Sequence, residues 1–97
     1  GNVADLLLVF ATVDPAKGAR GVSAFLVEKG MPGLQVGKKL DKMGMRTSPM
    51  AELFFDDLRV PVENRLGKEG AGKNLFTDSM TWERGCILAP AVGAMQR

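Results

Sequence analysis

The sequence predicts a mainly β chain, a partial antiparallel β-barrel or meander, that is followed by one C-terminal α-helix. Two observations carry this prediction. Short apolar segments separated by turn residues occupy residues 4–62, which is typical of strands. From Gly70 onward the apolar residues instead recur every three to four positions, as they do on one face of an α-helix. The change of period near Gly70 therefore divides the chain into two parts.

The first two predicted strands lie on either side of a turn. Residues 4–13 form a continuous apolar run with β-branched and aromatic residues near its end, which favours a strand buried on both faces over a helix. Residues 14–21 contain Asp, Pro and glycines, a composition typical of turns. Residues 22–29 alternate between two faces and predict the second strand.

Two further strands complete the predicted β region. Residues 34–39 are short and alternating, which indicates a half-exposed strand, and residues 51–56 are a short apolar run. Pro61 fits the end of a strand, because proline has no N–H to donate to a ladder. Two alternating and two buried segments indicate antiparallel pairing in a meander or a small barrel.

The C-terminal part predicts one helix over residues 72–96, with a weak start because glycines precede it. Gly85 and Pro90 lie inside this range. Pro90 removes the backbone hydrogen bond to the carbonyl of Cys86, so it should kink or interrupt the helix there.

The composition excludes several classes of function. A chain of 97 residues makes one small domain or a piece of a larger one. A net charge of +2 and only 6% aromatic residues argue against nucleic-acid binding. With no His and one Cys, Cys86, the usual zinc sites are excluded. The longest apolar run, residues 6–11, is too short to span a membrane.

The chain lacks an initiator Met and a basic leader, so we expect it to be part of a longer protein.

Several long segments closely resemble acyl-CoA dehydrogenases. Residues 44–67, GMRTSPMAELFFDDLRVPVENRLG, resemble the end of the central β-domain of that family. Residues 20–46 are similar to its preceding strands, most closely in isovaleryl-CoA dehydrogenases, and residues 81–97 resemble the first long helix of its C-terminal domain. The resemblance implies that residues 1–67 belong to the central β-domain and residues 68–97 form the first helix of the C-terminal helical domain.

For the intact protein, the resemblance implies an FAD-dependent acyl-CoA dehydrogenase. Such an enzyme removes an α-proton from an acyl-CoA thioester with a carboxylate and transfers a β-hydride to flavin N5. It also implies an electron-transfer flavoprotein as partner, a homotetramer, and a location in the bacterial cytoplasm or the mitochondrial matrix. The main FAD-contacting segments of the family lie outside these residues. We therefore assign no cofactor-binding residue here and expect the isolated chain to be inactive.

Two alternatives stay open. One is a relative that oxidises an acyl group on a carrier protein or a non-thioester substrate such as a nitroalkane. The other is a binding or assembly module without chemistry.

Glu83 is the residue that the resemblance implies as the catalytic base, because Glu83-Arg84 matches the dipeptide of members that keep their base on this helix. Its helical neighbours Phe76, Met80 and Ile87 are apolar, so we expect desolvation to raise the pKa of its carboxyl. The alternatives are an ion pair between Glu83 and a neighbouring cation, and a base on a later loop.

The resemblance also implies substrate contacts by Arg84, Thr81, Trp82, Asn74 and Ala19. Arg84 would position the substrate or form a structural ion pair. Thr81-Trp82 replaces the Asp-Leu that is common in isovaleryl-type members, which puts the acyl specificity in doubt, and Trp82 could instead belong to the core. Ala19 would contact the coenzyme A part through its backbone; an ordinary solvated turn is the favoured alternative.

Donors also cluster in the loop Arg46-Thr47-Ser48 and could serve a phosphate or a flavin edge. A structural contact with the next domain is the favoured interpretation of this loop.

Overall fold

A computed structural model describes residues 1–97 and has the predicted class, antiparallel strands followed by helix. Two short 3₁₀ segments, Pro15–Gly21 and Val62–Asn64, connect the strands. The strands are β1 Leu6–Thr12, β2 Val22–Glu28, β3 Leu34–Leu40, β4 Met50–Phe55 and β5 Arg65–Leu66, and the helices are α1 Gly72–Cys86 and α2 Ala89–Met95.

Strand β2 is the centre of a three-stranded antiparallel sheet with the order β1-β2-β5. Phe10 of β1 lies opposite Ala24 of β2, and Ala24 lies opposite Leu66 of β5. The side chain of Asn64 donates from Nδ2 to the carbonyl of Leu26 at 3.0 Å, which holds the short strand β5 beside β2. Because β2 is flanked on both sides, it supplies the most buried side chains: Ser23, Ala24 and Val27.

Strands β3 and β4 form a separate antiparallel hairpin-like sheet. The ladder pairs Leu34 with Phe55 and is irregular between Val36 and Lys39. At the start of β3 the N–H of Asp56 donates to the carbonyl of Gly33 at 2.9 Å. Gly33 has a φ of 94°, and a Cβ there would collide with the Asp56 backbone, so only glycine suits this close crossing.

The expectation that residues 4–13 are buried on both faces is wrong within this chain. Leu6 and Leu8 are 55% and 53% exposed, and only 5 of 97 residues are buried. The reason is that β1 lies at the edge of its sheet and no complete second layer covers it. An apolar edge strand of this kind invites association with other chains.

The predicted interruption of the helix by Pro90 is confirmed. Helix α1 ends at Cys86, where the N–H of Ile87 donates to the carbonyl of Glu83 at 2.7 Å. Helix α2 then begins at Ala89 with Pro90 in its first turn. A proline fits there because its missing N–H has no helical partner in the first turn.

The N-terminus of α1 is docked on β2 through two glycines and one serine. The N–H of Gly70 donates to Ser23 Oγ at 2.9 Å, and Ser23 is fully buried. A Cβ on Gly72 would lie 2.8 Å from the carbonyl oxygen of Val22, so the helix backbone rests directly on the strand. These contacts fix where α1 leaves the sheet.

Ser23→Ala should reduce the free energy of unfolding by about 1–3 kcal/mol, because the N–H of Gly70 would lose its acceptor in a partly buried site. Ser79→Ala is the matched control: its exposed hydroxyl donates to the carbonyl of Phe76 within α1, and its loss should cost less than about 0.5 kcal/mol. Urea unfolding followed by circular dichroism measures both. Equal midpoints for the two variants would show that the Ser23 hydroxyl does not hold the helix.

Candidate active site on the first helix

Six residues are the candidates for catalysis or substrate contact, and all six are exposed. Helix α1 carries five of them. The sixth, Ala19, lies in the 3₁₀ segment Pro15–Gly21, next to the N-terminal end of α1. The five residues on the helix are Asn74, Thr81, Trp82, Glu83 and Arg84.

Glu83 lies on the side of α1 that faces the sheet. An α-helix turns by about 100° per residue, so Gly72, Phe76 and Glu83 fall within about 40° of one another. Gly72 rests on β2, and the ring of Phe76 meets the ring of Phe10 on β1 edge to face, with the centroids 5.8 Å apart. Glu83 therefore continues the docked face of the helix, about 16 Å along the axis from Gly72.

The apolar row around Glu83 does not bury it within this chain, contrary to the expected desolvation. Phe76 is 50% exposed although its ring meets Phe10, and Ile87, just past the end of α1, is 67% exposed. Glu83 also takes part in no salt bridge, so the ion-pair alternative finds no partner among these residues. Its carboxylate is open on the sheet-facing side of the helix.

Arg84 and Trp82 flank Glu83 and point about 100° to either side of it. Arg84 takes part in no salt bridge, so the structural ion pair considered for it is not present in this chain. Trp82 is 78% exposed, which contradicts a place in the core of this chain. Both side chains are available for a ligand or for another segment of the protein.

Asn74 and Thr81 lie on the far side of α1. They are seven residues apart and share a face about 160–180° from Glu83. The hydroxyl of Thr81 donates to the carbonyl of Thr77 at 3.0 Å. The structure thus does not bring these two residues together with Glu83, and their side chains cannot line one pocket with it from this helix alone.

Ala19 lies near the N-terminal end of α1, whereas Glu83 lies near its C-terminal end. A Cβ on Gly70 would lie 2.5 Å from the carbonyl oxygen of Arg20, the residue after Ala19. The segment around Ala19 therefore lies at the start of α1, while Glu83 lies three turns further on. A ligand that touched both would be long and extended.

Two concave regions are lined by residues of the two sheets and their connections. An apolar groove of about 630 Å³ lies between the two sheets; nine of its ten lining residues are hydrophobic, and Asp57 is the exception. A polar cleft of about 330 Å³ lies where β3 ends and β4 begins. FAD needs cations for its pyrophosphate and apolar surface for its flavin ring. The apolar groove has no cationic lining residue, and the polar cleft has only one hydrophobic lining residue, so neither fits FAD. No step through a flavin is derived from these residues.

No three His, Cys, Asp or Glu side chains come together in a way that would hold a metal ion. Neither helix has the length and apolar character that crossing a membrane requires.

The sequence did not identify the residues that position α1: Ser23, Gly70 and Gly72. The glycines at the start of the predicted helix indicate only a weak start, whereas in the structure Gly72 lets the backbone touch β2. The pattern Gly-x-Gly directly before a helix that follows a sheet is the signal that indicates such a close approach.

The chain matches the family model described as the acyl-CoA dehydrogenase middle domain over residues 1–58. It is 48% identical over 95 residues to an L-prolyl-[peptidyl-carrier protein] dehydrogenase from Pseudomonas fluorescens, covering 98% of this chain and 25% of that protein. It is 48% identical over 96 residues to a cyclohex-1-ene-1-carbonyl-CoA dehydrogenase from Geobacter metallireducens, covering 99% of this chain and 25% of that protein.

A solved structure described as PigA with FAD and proline superposes with a TM-score of 0.92 at 44% identity, over 98% of this chain and 25% of that one. The chain thus spans about a quarter of the length of these relatives. The family model covers more than half of this chain, and its strands and helices overlay those of a solved relative. The chain therefore belongs to the acyl-CoA dehydrogenase family.

Proposed function

We propose that the intact protein is an FAD-dependent dehydrogenase of acyl thioesters, and that residues 68–97 begin its C-terminal helical domain. The observation that carries this proposal is the open, unpaired Glu83 on the sheet-facing side of α1, in a chain of this family. When FAD is bound, it supplies the redox chemistry. Glu83 supplies a proton acceptor, which is the other requirement of an α,β-dehydrogenation.

In this proposal Glu83 removes the α-proton and Arg84 orients the thioester chain. An exposed carboxylate is a weak base for a C–H proton, so other segments of the intact protein, or the substrate itself, would exclude water from it. The backbone near Ala19 would meet the remote part of an extended acyl-thioester arm, about three helical turns from Glu83. An acyl-CoA as substrate, an electron-transfer flavoprotein as acceptor and a homotetrameric assembly belong to the same proposal.

A carrier-protein-bound acyl group is the second candidate substrate. Two observations favour it: the 48% identity to a prolyl-carrier dehydrogenase, and Thr81-Trp82 at the positions where isovaleryl-type members carry Asp-Leu. A CoA-linked dehydrogenase is also 48% identical, so sequence identity by itself does not choose between the two carriers.

Anaerobic stopped-flow reduction of the flavin in the intact protein distinguishes the two carriers. The same acyl group is presented once as the CoA thioester and once on a phosphopantetheinylated carrier protein. We expect reduction by at least one of them, and the faster one identifies the carrier. A colourless protein that cannot be reconstituted with FAD would instead favour the binding or assembly module.

A further inference from the structure

The positive charge of the chain is concentrated in residues 38–46. This segment contains four of the 13 basic residues and one of the 11 acidic residues, a net charge of +3. The remaining residues carry nine basic and ten acidic groups, a net charge of −1. The overall charge of +2 therefore arises from one short stretch between the two strands of the β3–β4 sheet.

The chain itself compensates this charge only weakly. Arg46 is the only cation of the segment with a carboxylate within 4 Å: its Nε lies 3.7 Å from Asp41 Oδ1. Both side chains are exposed, and exposed ion pairs of this length contribute little. Lys38, Lys39 and Lys42 take part in no salt bridge.

Three of these cations line the polar cleft described above, which we call the basic cleft from here on because of its charge. It has a volume of about 330 Å³ and is lined by Lys39, Lys42, Arg46 and Ser48, with Asp41 as its one carboxylate. The site is a recess between the end of β3 and the start of β4 rather than a flat surface. A recess with three cations and one carboxylate suits a small anion of more than one charge.

The loop holds the donors of the basic cleft in place. Arg46 Nε donates to the carbonyl of Lys42 at 3.0 Å, while the two Nη groups of Arg46 make no hydrogen bond within the chain. The N–H of Ser48 donates to the carbonyl of Met45 at 3.0 Å, closing a turn in which Met45 has a φ of 46°. The guanidinium is thus fixed through one nitrogen, and its remaining N–H groups and the Ser48 hydroxyl are free to bind a ligand.

We propose that the basic cleft is a binding site for a small soluble phosphate ester or pyrophosphate. The two Nη groups of Arg46 match two phosphate oxygens, Lys39 and Lys42 add point charges, and Ser48 adds a hydroxyl donor. A carboxylate has one charge and two oxygens, so it would use the three cations incompletely. The cleft lies on the β3–β4 sheet and not on α1, so this proposal is independent of the function proposed for Glu83.

Isothermal titration calorimetry of the intact protein with inorganic pyrophosphate at low ionic strength tests the proposal. Arg46→Gln and Lys42→Gln should each weaken pyrophosphate binding about 10-fold, because each removes a charge-assisted contact. Arg46→Lys keeps the charge and loses the paired N–H groups, so its affinity should lie between that of Arg46→Gln and that of the unchanged protein.

Lys68→Gln and Lys73→Gln, outside the cleft, are matched controls and should bind pyrophosphate as the unchanged protein does. Circular dichroism checks the fold of each variant, and Lys42→Gln carries the test if Arg46→Gln does not fold.

Two peptide ligands identify what kind of anion the basic cleft prefers. A phosphoserine peptide that binds more tightly than pyrophosphate would overturn the small soluble ligand and place the phosphate on a macromolecule. A glutamate-rich peptide that binds more tightly than either would overturn the proposal and indicate an acidic protein surface as the partner. Equal weakening by Arg46→Gln and Lys68→Gln would also overturn it, because the binding would then follow net charge and not the cleft.

Discussion

Replacing Glu83 by Gln in the intact protein should slow anaerobic flavin reduction by about a hundred- to ten-thousand-fold, the contribution of a positioned general base. Gln keeps the shape of the side chain and cannot accept the α-proton. The flavin should still bind, because no FAD-binding residue is assigned on α1. Substrate affinity should change little, since the loss lies in the transition state for proton removal.

Two variants make this result specific. Glu83→Asp withdraws the carboxylate by one methylene and should retain part of the rate. Asp78→Asn removes a carboxylate from nearly the opposite side of the same helix and should leave the rate within about twofold of the unchanged protein. Stopped-flow measurement of flavin bleaching gives all three rates. A Glu83→Gln protein that reduces its flavin at a near-normal rate would assign the base to another segment and leave Glu83 a structural residue.

The order and type of the secondary elements follow from local patterns that the sequence contains in full. The alternation in residues 22–29 and 34–39 and the turn residues between them are local features, and they predict β2 and β3 within a residue or two. The break near Pro90 is equally local, because it depends on one missing N–H. Burial is not local, since it depends on what lies opposite. Leu6 and Leu8 have the pattern of a buried strand but lie exposed on an edge.

For the candidate site, too, some features follow from the local sequence and others depend on what the helix contacts. Helical spacing alone places Glu83 on one face with Phe76 and places Asn74 and Thr81 on the other. It cannot tell which face meets the sheet, because that depends on where the helix begins and what it touches there. The contact of Gly72 with the backbone of β2 and the ring of Phe76 against Phe10 supply this information. The desolvation expected of Glu83 likewise needs segments outside these 97 residues.

The docking of α1 makes Gly70→Ala a strongly destabilising substitution. Gly70 has a φ of 78°, and an added Cβ would lie 2.5 Å from the carbonyl oxygen of Arg20. A left-handed backbone costs about 1–2 kcal/mol for a non-glycine residue, and forcing an extra carbon into a packed contact costs about 1–3 kcal/mol. Together these effects should lower the free energy of unfolding by about 2–5 kcal/mol.

Two other glycines separate the cost of the left-handed backbone from the cost of the clash. Gly67 has a φ of 71°, but the nearest atom to an added Cβ is 3.8 Å away, so Gly67→Ala should show the backbone cost of about 1–2 kcal/mol without the clash. Gly85 lies inside α1 with nothing within 4 Å, so Gly85→Ala should stabilise the helix by about 0.5–1 kcal/mol. Urea unfolding midpoints measure all three variants. If Gly70→Ala lowers the free energy of unfolding no more than Gly67→Ala does, the carbonyl of Arg20 can move away from the added Cβ. The start of α1 would then not be anchored by Ser23, Gly70 and Gly72.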